Sequence, residues 1–369
     1  MKFICTAEDF SSALSKVIRA ISSKKDTPIL ESVKISAYNN EVIFYATDIN
    51  LTITKKIKAE VIIDGETLVP GKEIAGFTKS LSDQIEIESD DNKLKIFYGG
   101  SEVEFNCLKV EDYPKEVEIE FENEIDIESK KLKNLLRKTM FSVAVVDEKA
   151  IFKGCYFIKE ENILKFVGVD GKRISVAKEE IFSNKESFFE GIIPLRAADE
   201  ILKILDDNNF VKFKTSKNKI LIEYNDTKII STLIEGEFIK FNEIMNISNP
   251  TEVVVEKKLL KESIERIIFV LNTKQEKNNS VKIEFTEDEM KLTTSSKIVN
   301  KVVEKIPIYL NGKDITIAIN IKYLESCLSV IDEEFIVIRL NTSVKPVFIE
   351  GKDNNNFKYM FIPIVLVNY

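Results

Sequence analysis

The side chains able to do acid–base or covalent chemistry form an incomplete set in this sequence. None of its 369 residues is histidine, which removes the commonest general base and metal ligand together, and every Ser-His or Cys-His triad with them. The four cysteines, Cys5, Cys107, Cys155 and Cys327, lie far apart, and no C-x-x-C pair could clasp zinc or cycle a disulfide. They read as reduced core residues. No Gly-x-x-x-x-Gly-Lys-Ser/Thr loop is present to cradle a phosphate, no Gly-x-Gly-x-x-Gly follows a strand, and there is no Gly-x-Ser-x-Gly elbow. Carboxylates remain, as in Asp206-Asp207 and Glu333-Glu334, but adjacent acids at helix ends suit a solvated surface. The expectation is a protein with no catalytic residue, metal or cofactor. Two alternatives stay open: a carboxylate-only metal-dependent nuclease or phosphatase, and a repeat scaffold that binds only proteins.

The cations carry more pattern. In three helix-period stretches, the position six after the leading apolar residue is basic: Lys16, Lys138 and Arg266. In a second set of helices the position two after an anchor residue is basic, Lys72, Arg196 and Lys322, and nine after the anchor come Lys79 and Lys203. At about 100° per residue these positions fall off the apolar stripe. One such residue is what any solvated helix face carries. Register across three copies suggests a shared surface that neutralises phosphates without reading bases. Asp199, Glu200, Glu262 and Glu265 interrupt it, so the attraction expected is weak.

These positions belong to a repeat of about a third of the chain length. The stripe Phe10, Ala13, Leu14, Val17, Ile18, Ile21 returns as Leu132, Leu135, Leu136, Thr139, Met140, Val143 and as Leu260, Ser263, Ile264, Ile267, Ile268, Leu271. Each follows a strand-like run (Lys2 to Thr6, Ile125 to Ile127, Val253 to Val255), with Glu8, Glu128 and Glu256 near the helix starts, where the dipole favours acids. A second helix follows Pro70, Pro194 and Asn320 with matching apolar offsets; proline suits a helix's first turn because its missing N–H would be unpaired there. Short alternating runs between the helices predict about eight strands per repeat, an α+β module. Boundaries are placed at 1–123, 124–249 and 250–369, where Glu122-Asn123-Glu124 and Ser248-Asn249-Pro250 look like linkers.

A chain 44% hydrophobic and 31% charged is expected to fold into more than one domain. Its net charge of −8 argues against coating nucleic acid with the whole surface, while allowing a local basic stripe. Acids in the first nine residues and the lack of a long apolar run suggest a cytoplasmic protein with no membrane association.

The segments Thr27-Pro28-Ile29-Leu30, Thr47-Asp48-Ile49, Glu111-Asp112-Tyr113-Pro114, Asp170-Gly171-Lys172-Arg173-Ile174, Glu235-Gly236-Glu237-Phe238, Asn320-Ile321-Lys322-Tyr323 and the closing Tyr359 to Leu366 follow one another along the whole chain. In them the sequence resembles the bacterial DNA polymerase III beta subunit, or beta sliding clamp. Order and spacing, more than any one motif, make it specific. The resemblance implies three repeated clamp domains, each with two helices on antiparallel sheets, closed as a head-to-tail homodimer into a ring around duplex DNA. The implied partners are double-stranded DNA without sequence preference, the replicative polymerase's catalytic subunit, the clamp loader and other proteins with a clamp-binding motif.

The DNA contacts expected on register and resemblance together are Lys24, Lys25, Lys72, Lys79, Lys138, Lys149, Arg196, Lys203 and Arg266; Lys24, Lys25 and Lys149 sit in loops that the resemblance makes DNA-facing. For the subunit interface it implies Val103 and Phe105 against a helix end at Phe269 and Val270, where Phe269 takes an outward position. It also implies a partner-peptide groove lined by Phe152, Gly171, Lys172, Arg173, Ile174, Ile239, Ile244, Asn320, Tyr323, Val344, Pro346, Met360, Ile362, Pro363, Ile364 and Leu366. Apolar walls with a few polar groups suit a short linear peptide, and Pro363, interrupting the last strand, is expected to leave an unpaired edge there. Lys172, Val365 and Ile239 replace the family's histidine, arginine and proline, so the groove chemistry is altered. Val367, Asn368 and Tyr369 extend past the family's usual end.

Overall fold

The computed structural model describes residues 1–22, 27–90, 92–116, 118–182, 187–272, 279–294 and 301–365. Lys24, Lys25, Leu366 and the Val367-Asn368-Tyr369 extension lie outside them. The described helices are α1 (Ala7–Val17), α2 (Gly71–Thr78), α3 (Ser129–Met140), α4 (Leu195–Ile204), α5 (Phe241–Met245), α6 (Lys257–Asn272) and α7 (Ile321–Leu328). Six of them fall on the two predicted sets. The short α5 has no counterpart in the sequence reading, because five residues are too few for a helical period to emerge.

The sequence explains where the helices start. Thr6 caps α1 by accepting a hydrogen bond from the Asp9 N–H (3.1 Å), and Asn320 caps α7 by accepting from the Lys322 N–H (3.1 Å). Ala7, Phe10, Ala13, Leu14 and Val17 form the buried stripe of α1, and Ile321, Leu324, Cys327 and Leu328 that of α7. Pro70 and Pro194 end strands one residue before α2 and α4, a position earlier than expected.

The chain forms two compact units by internal contacts, one of residues 1–130, 182–185 and 199–233, the other of 131–181, 186–198 and 234–369. The first holds a five-stranded sheet in the order Glu60–Ile63, Lys2–Thr6, Gln84–Ser89, Lys93–Tyr98, Ser101–Asn106. Its eight-stranded sheet joins strands from two repeats: Leu51–Lys58 pairs with Thr227–Thr232, with Ile53 opposite Ile229. Main-chain hydrogen bonds therefore cross from the first repeat to the second, and the contact division does not follow the repeats. The linker reading of Asn123 and Glu124 is corrected for the same reason. They begin the strand Asn123–Glu128, which pairs with Phe210–Thr215.

Tyr113 gives the Glu-Asp-Tyr-Pro motif a physical role. Its ring is 3% exposed, its hydroxyl donates to the Ser32 carbonyl (2.9 Å) and accepts from the Thr47 N–H (3.2 Å), and it meets Tyr45 edge-on at 5.8 Å.

The second unit holds a nine-stranded antiparallel sheet, in which Arg173–Glu180 pairs with Phe357–Phe361 and that strand with Val347–Gly351, and a four-stranded sheet ending in Val303–Pro307. Gly168 lets α3 approach the larger sheet. A Cβ there would lie 2.1 Å from the Thr139 carbonyl oxygen. That oxygen accepts from the Ser142 (3.0 Å) and Ser175 (3.2 Å) hydroxyls, pinning the C-terminal end of α3.

Candidate functional site

The described residues expected to line the groove all belong to the second unit. Asp170-Gly171 makes a tight turn: Gly171 has φ +82°, a value that favours glycine, and Asp170 Oδ1 accepts from the N–H groups of Lys172 and Arg173 at 3.0 Å each. The turn delivers Arg173, whose Nε donates to Asp170 Oδ2 at 2.7 Å. The guanidinium lies 5.0 Å from the Tyr323 ring centroid and 5.8 Å from that of Phe141, which the pinned end of α3 presents. Tyr323, Phe361, Tyr359 and Phe141 continue as an aromatic chain with centroid spacings of 6.0, 5.8 and 5.2 Å.

Phe152, Ile174 and Met360 are buried members of one cluster with Tyr156, Phe241, Met245 and Phe348, and so form a floor below the surface. Ile239 and Ile244 pack half-buried on it, and Phe238 stacks on Tyr156 at 4.4 Å. Val344, Ile362 and Ile364 stand out at 54, 46 and 38% exposure, while Pro363 is buried. Gly171 and Lys172 are exposed; Asn320, Tyr323 and Pro346 are half-buried. The expected unpaired edge at Pro363 is corrected. The strand Phe357–Phe361 is paired on both sides, and beyond it the Ile362 N–H donates to the Lys172 carbonyl (3.0 Å) and the Ile364 N–H to the Ala318 carbonyl (2.7 Å). Pro363 lacks an N–H, which suits the one position between two such bonds. The surface offers exposed aliphatic side chains over a rigid backbone, not a free strand edge.

The cations behave less uniformly than their register suggests. Lys72, Lys79, Lys149 and Arg196 are exposed, and the Lys149 ammonium lies 5.6 Å from the Phe152 ring. Lys203 is exposed and hydrogen-bonded to Asp199, with Glu200 at 3.9 Å; Arg19 also reaches Glu200, at 2.9 Å. Arg266 is held bidentately by Glu304 at 3.0 and 2.6 Å. Lys138 corrects the expectation of an outward face: its side chain is 4% exposed, its ammonium 3.4 Å from Asp332 and 5.8 Å from the Phe357 ring centroid. A lysine stem can lie along apolar surface while its charge finds a nearby carboxylate, and helical position alone does not reveal the element that covers it. Asp332, Glu304 and Phe141 were not singled out from sequence, and only their partners' spatial positions identify them.

At the proposed interface, Phe269 is 71% exposed and Val270 half-buried beside it. Val103 and Phe105 are half-buried on Ser101–Asn106, the last strand of its sheet, where Phe105 meets Phe77 edge-on at 5.9 Å.

Burial pushes the Cys5 and Cys155 thiols up to about 12 and Cys327 well above its ordinary value, so none is a ready thiolate. Among the described residues no three Cys, Asp or Glu side chains converge on a metal position, and no helix is long and apolar enough to cross a membrane.

Exposed cations on the repeated helices, and exposed aliphatic side chains beside Arg173 and Tyr323, are features of a binding surface. Residues 1–118, 126–240 and 244–365 match the N-terminal, central and C-terminal domains of the DNA polymerase III beta subunit, and the chain belongs to that family. It has three beta-clamp domains and is a non-catalytic DNA sliding clamp. The beta sliding clamps of Chlamydia pneumoniae and Bacillus subtilis are each 25% identical to it, covering 98 and 99% of both chains. Among solved structures, the polymerase III beta subunit described as putative from Eubacterium rectale is 27% identical with a TM-score of 0.93, covering 99% of each chain. The Bacillus subtilis clamp is 24% identical with a TM-score of 0.94 and covers 100% of each.

Proposed function

We propose that two copies of this chain join head to tail into a ring around duplex DNA, hold it by exchangeable phosphate contacts, and tether partner proteins through the groove at Arg173, Tyr323 and Ile362. The observation that carries this reading is the pairing state of the helix cations. Lys203 and Arg266 are surface charges already balanced by carboxylates, and Lys72 and Lys79 have no ion pair among the described residues; contacts from such cations to phosphates carry no sequence information. A surface of that kind attracts phosphate weakly and lets it go, as movement along DNA requires. Arg196 and Lys149 extend the set, and Lys24 and Lys25 are assigned to it on the family resemblance; buried Lys138 supports α3 instead of touching DNA.

The three clamp domains are assigned to 1–123, 124–249 and 250–369. The head-to-tail contact is assigned, on the family resemblance, to Val103 and Phe105 of one copy against Phe269 and Val270 of the other, and the 71% exposure of Phe269 leaves its ring open to such a contact. The cytoplasm is the compartment that suits a replication protein. The tethered partners are the replicative polymerase, the clamp loader and other proteins bearing an apolar clamp-binding segment.

Primer extension with the cognate polymerase and loader tests the tethering role. The parent protein is expected to give long products. Tyr323→Ala with Ile362→Asp is expected to give only short ones, because neither loader nor polymerase would then be held, and long products from that variant would overturn the groove assignment.

A further inference from the structure

The exit of the strand Phe357–Phe361 carries two lysines, one on each flank. On one side Arg173 is the register partner of Phe361, so Lys172 stands beside Ile362, and the Ile362 N–H donates to the Lys172 carbonyl at 3.0 Å. On the other side Val347 is the register partner of Phe361, and Lys345 stands two residues before it, at the bend ahead of Pro346. Both lysines are exposed, and neither has an ion pair among the described residues. The acid nearest in sequence, Asp170, is committed to the Arg173 guanidinium and to two backbone N–H groups. In a chain with 61 acids and 53 lysines and arginines, the exposed aliphatic strip of Ile362 and Val344 is thus edged by two lysines that no carboxylate among the described residues pairs.

We infer that the groove selects partner segments carrying acidic residues on either side of an apolar anchor, with Lys172 and Lys345 as the charge-reading pair. This rests on the peptide-groove reading above. Two strand spacings separate the flanks, about 10 Å, which is the reach of about three residues of an extended peptide. An aliphatic or aromatic anchor seated against Ile362 and Val344 therefore puts side chains one or two residues away on each side within range of a lysine. Such rim charges govern selectivity and association rate more than total affinity.

Fluorescence anisotropy with two labelled peptides tests this on the intact protein: one with a leucine-phenylalanine anchor and neutral flanks, the other with aspartate on both flanks. At low ionic strength the acidic peptide is expected to bind about fivefold to tenfold tighter, as two exposed charge pairs allow. The preference should fade as salt shortens the screening length below about 10 Å. In Lys172→Glu/Lys345→Glu it is expected to vanish or invert. Equal affinities in the parent protein, or a preference undiminished in the double variant, would overturn the inference. Ile362→Asp separates the two levels. If it abolishes both peptides while the parent shows no acidic preference, the charge reading alone fails; if the neutral peptide binds Ile362→Asp as it binds the parent, the groove reading fails and this inference with it.

Discussion

The Lys138 ammonium lies 3.4 Å from Asp332 Oδ2, and the same carboxylate accepts from Arg137 at 2.9 Å. One exposed acid thus neutralises two neighbouring cations of α3, one of them buried. Partial burial pushes the Asp332 carboxyl up, but the Arg137 hydrogen bond and the charges of Arg137 and Lys138 outweigh it, so the net value falls below the ordinary 3.8.

A carboxyl held below its unfolded value contributes stability that is fully present above that value and is lost as pH falls through the folded one. Asp332→Asn is therefore expected to be less stable than the parent at neutral pH. The cost should be about 1–2 kcal/mol, because Lys138 loses its partner while the exposure of Asp332 screens the pair. The gap should close as pH drops below about 4. Denaturant unfolding across pH measures it, and a gap that does not change with pH would contradict the pairing.

Among the helix cations, Lys72 and Lys79 are exposed without an ion pair among the described residues. Reversing both to glutamate is expected to lower the slope of log affinity for DNA against log salt by up to about two per chain, with no change in thermal stability. Asp199→Asn, which leaves Lys203 only the longer contact to Glu200, should act in the opposite direction. Salt titrations of DNA retention read both, and an unchanged slope in the lysine double variant would remove α2 from the DNA surface.

The helices were legible because their apolar stripes recur three times at fixed offsets, and Phe10, Leu135 and Ile264 all prove buried on them. What escaped the sequence depends on long-range approach. Lys138 holds an outward-looking helical position, yet Asp332 and Phe357, roughly two hundred residues on, cover it. Pro363 reads as a strand breaker with an open edge beside it, but the Lys172 and Ala318 carbonyls pair the backbone on either side. Asn123 and Glu124 read as linker by composition, and the sheet recruits them because Phe210–Thr215 offers an antiparallel neighbour.

Gly168 is a position where a single methyl group has no room, with the Thr139 carbonyl oxygen 2.1 Å and Ser142 Oγ 2.6 Å from where a Cβ would be. Gly168→Ala is expected to cost about 2–3 kcal/mol by forcing α3 off the sheet. Because Phe141 follows α3 and faces Arg173, groove peptides should also bind more weakly. Calorimetry and peptide titration on the same variant check this, and a parent-like melting temperature would show that α3 shifts at no cost.

Phe269 is 71% exposed in the single chain. If a second copy covers it, Phe269→Asp is expected to give monomers at concentrations where the parent sediments as a dimer, with each monomer retaining its fold by circular dichroism. A variant that dimerises as strongly as the parent would move the interface elsewhere.

The central claim is topological, and retention on DNA circles tests it most directly. The protein is loaded onto nicked circular DNA, free protein is removed by gel filtration at moderate salt, and the circle is then cut once. A closed ring holding DNA by weak phosphate contacts predicts co-elution with the intact circle and loss within the time needed to slide off the new ends, with retention restored when the ends are blocked by bound protein. Equal retention on circular and linear DNA, or none on either, would contradict the account.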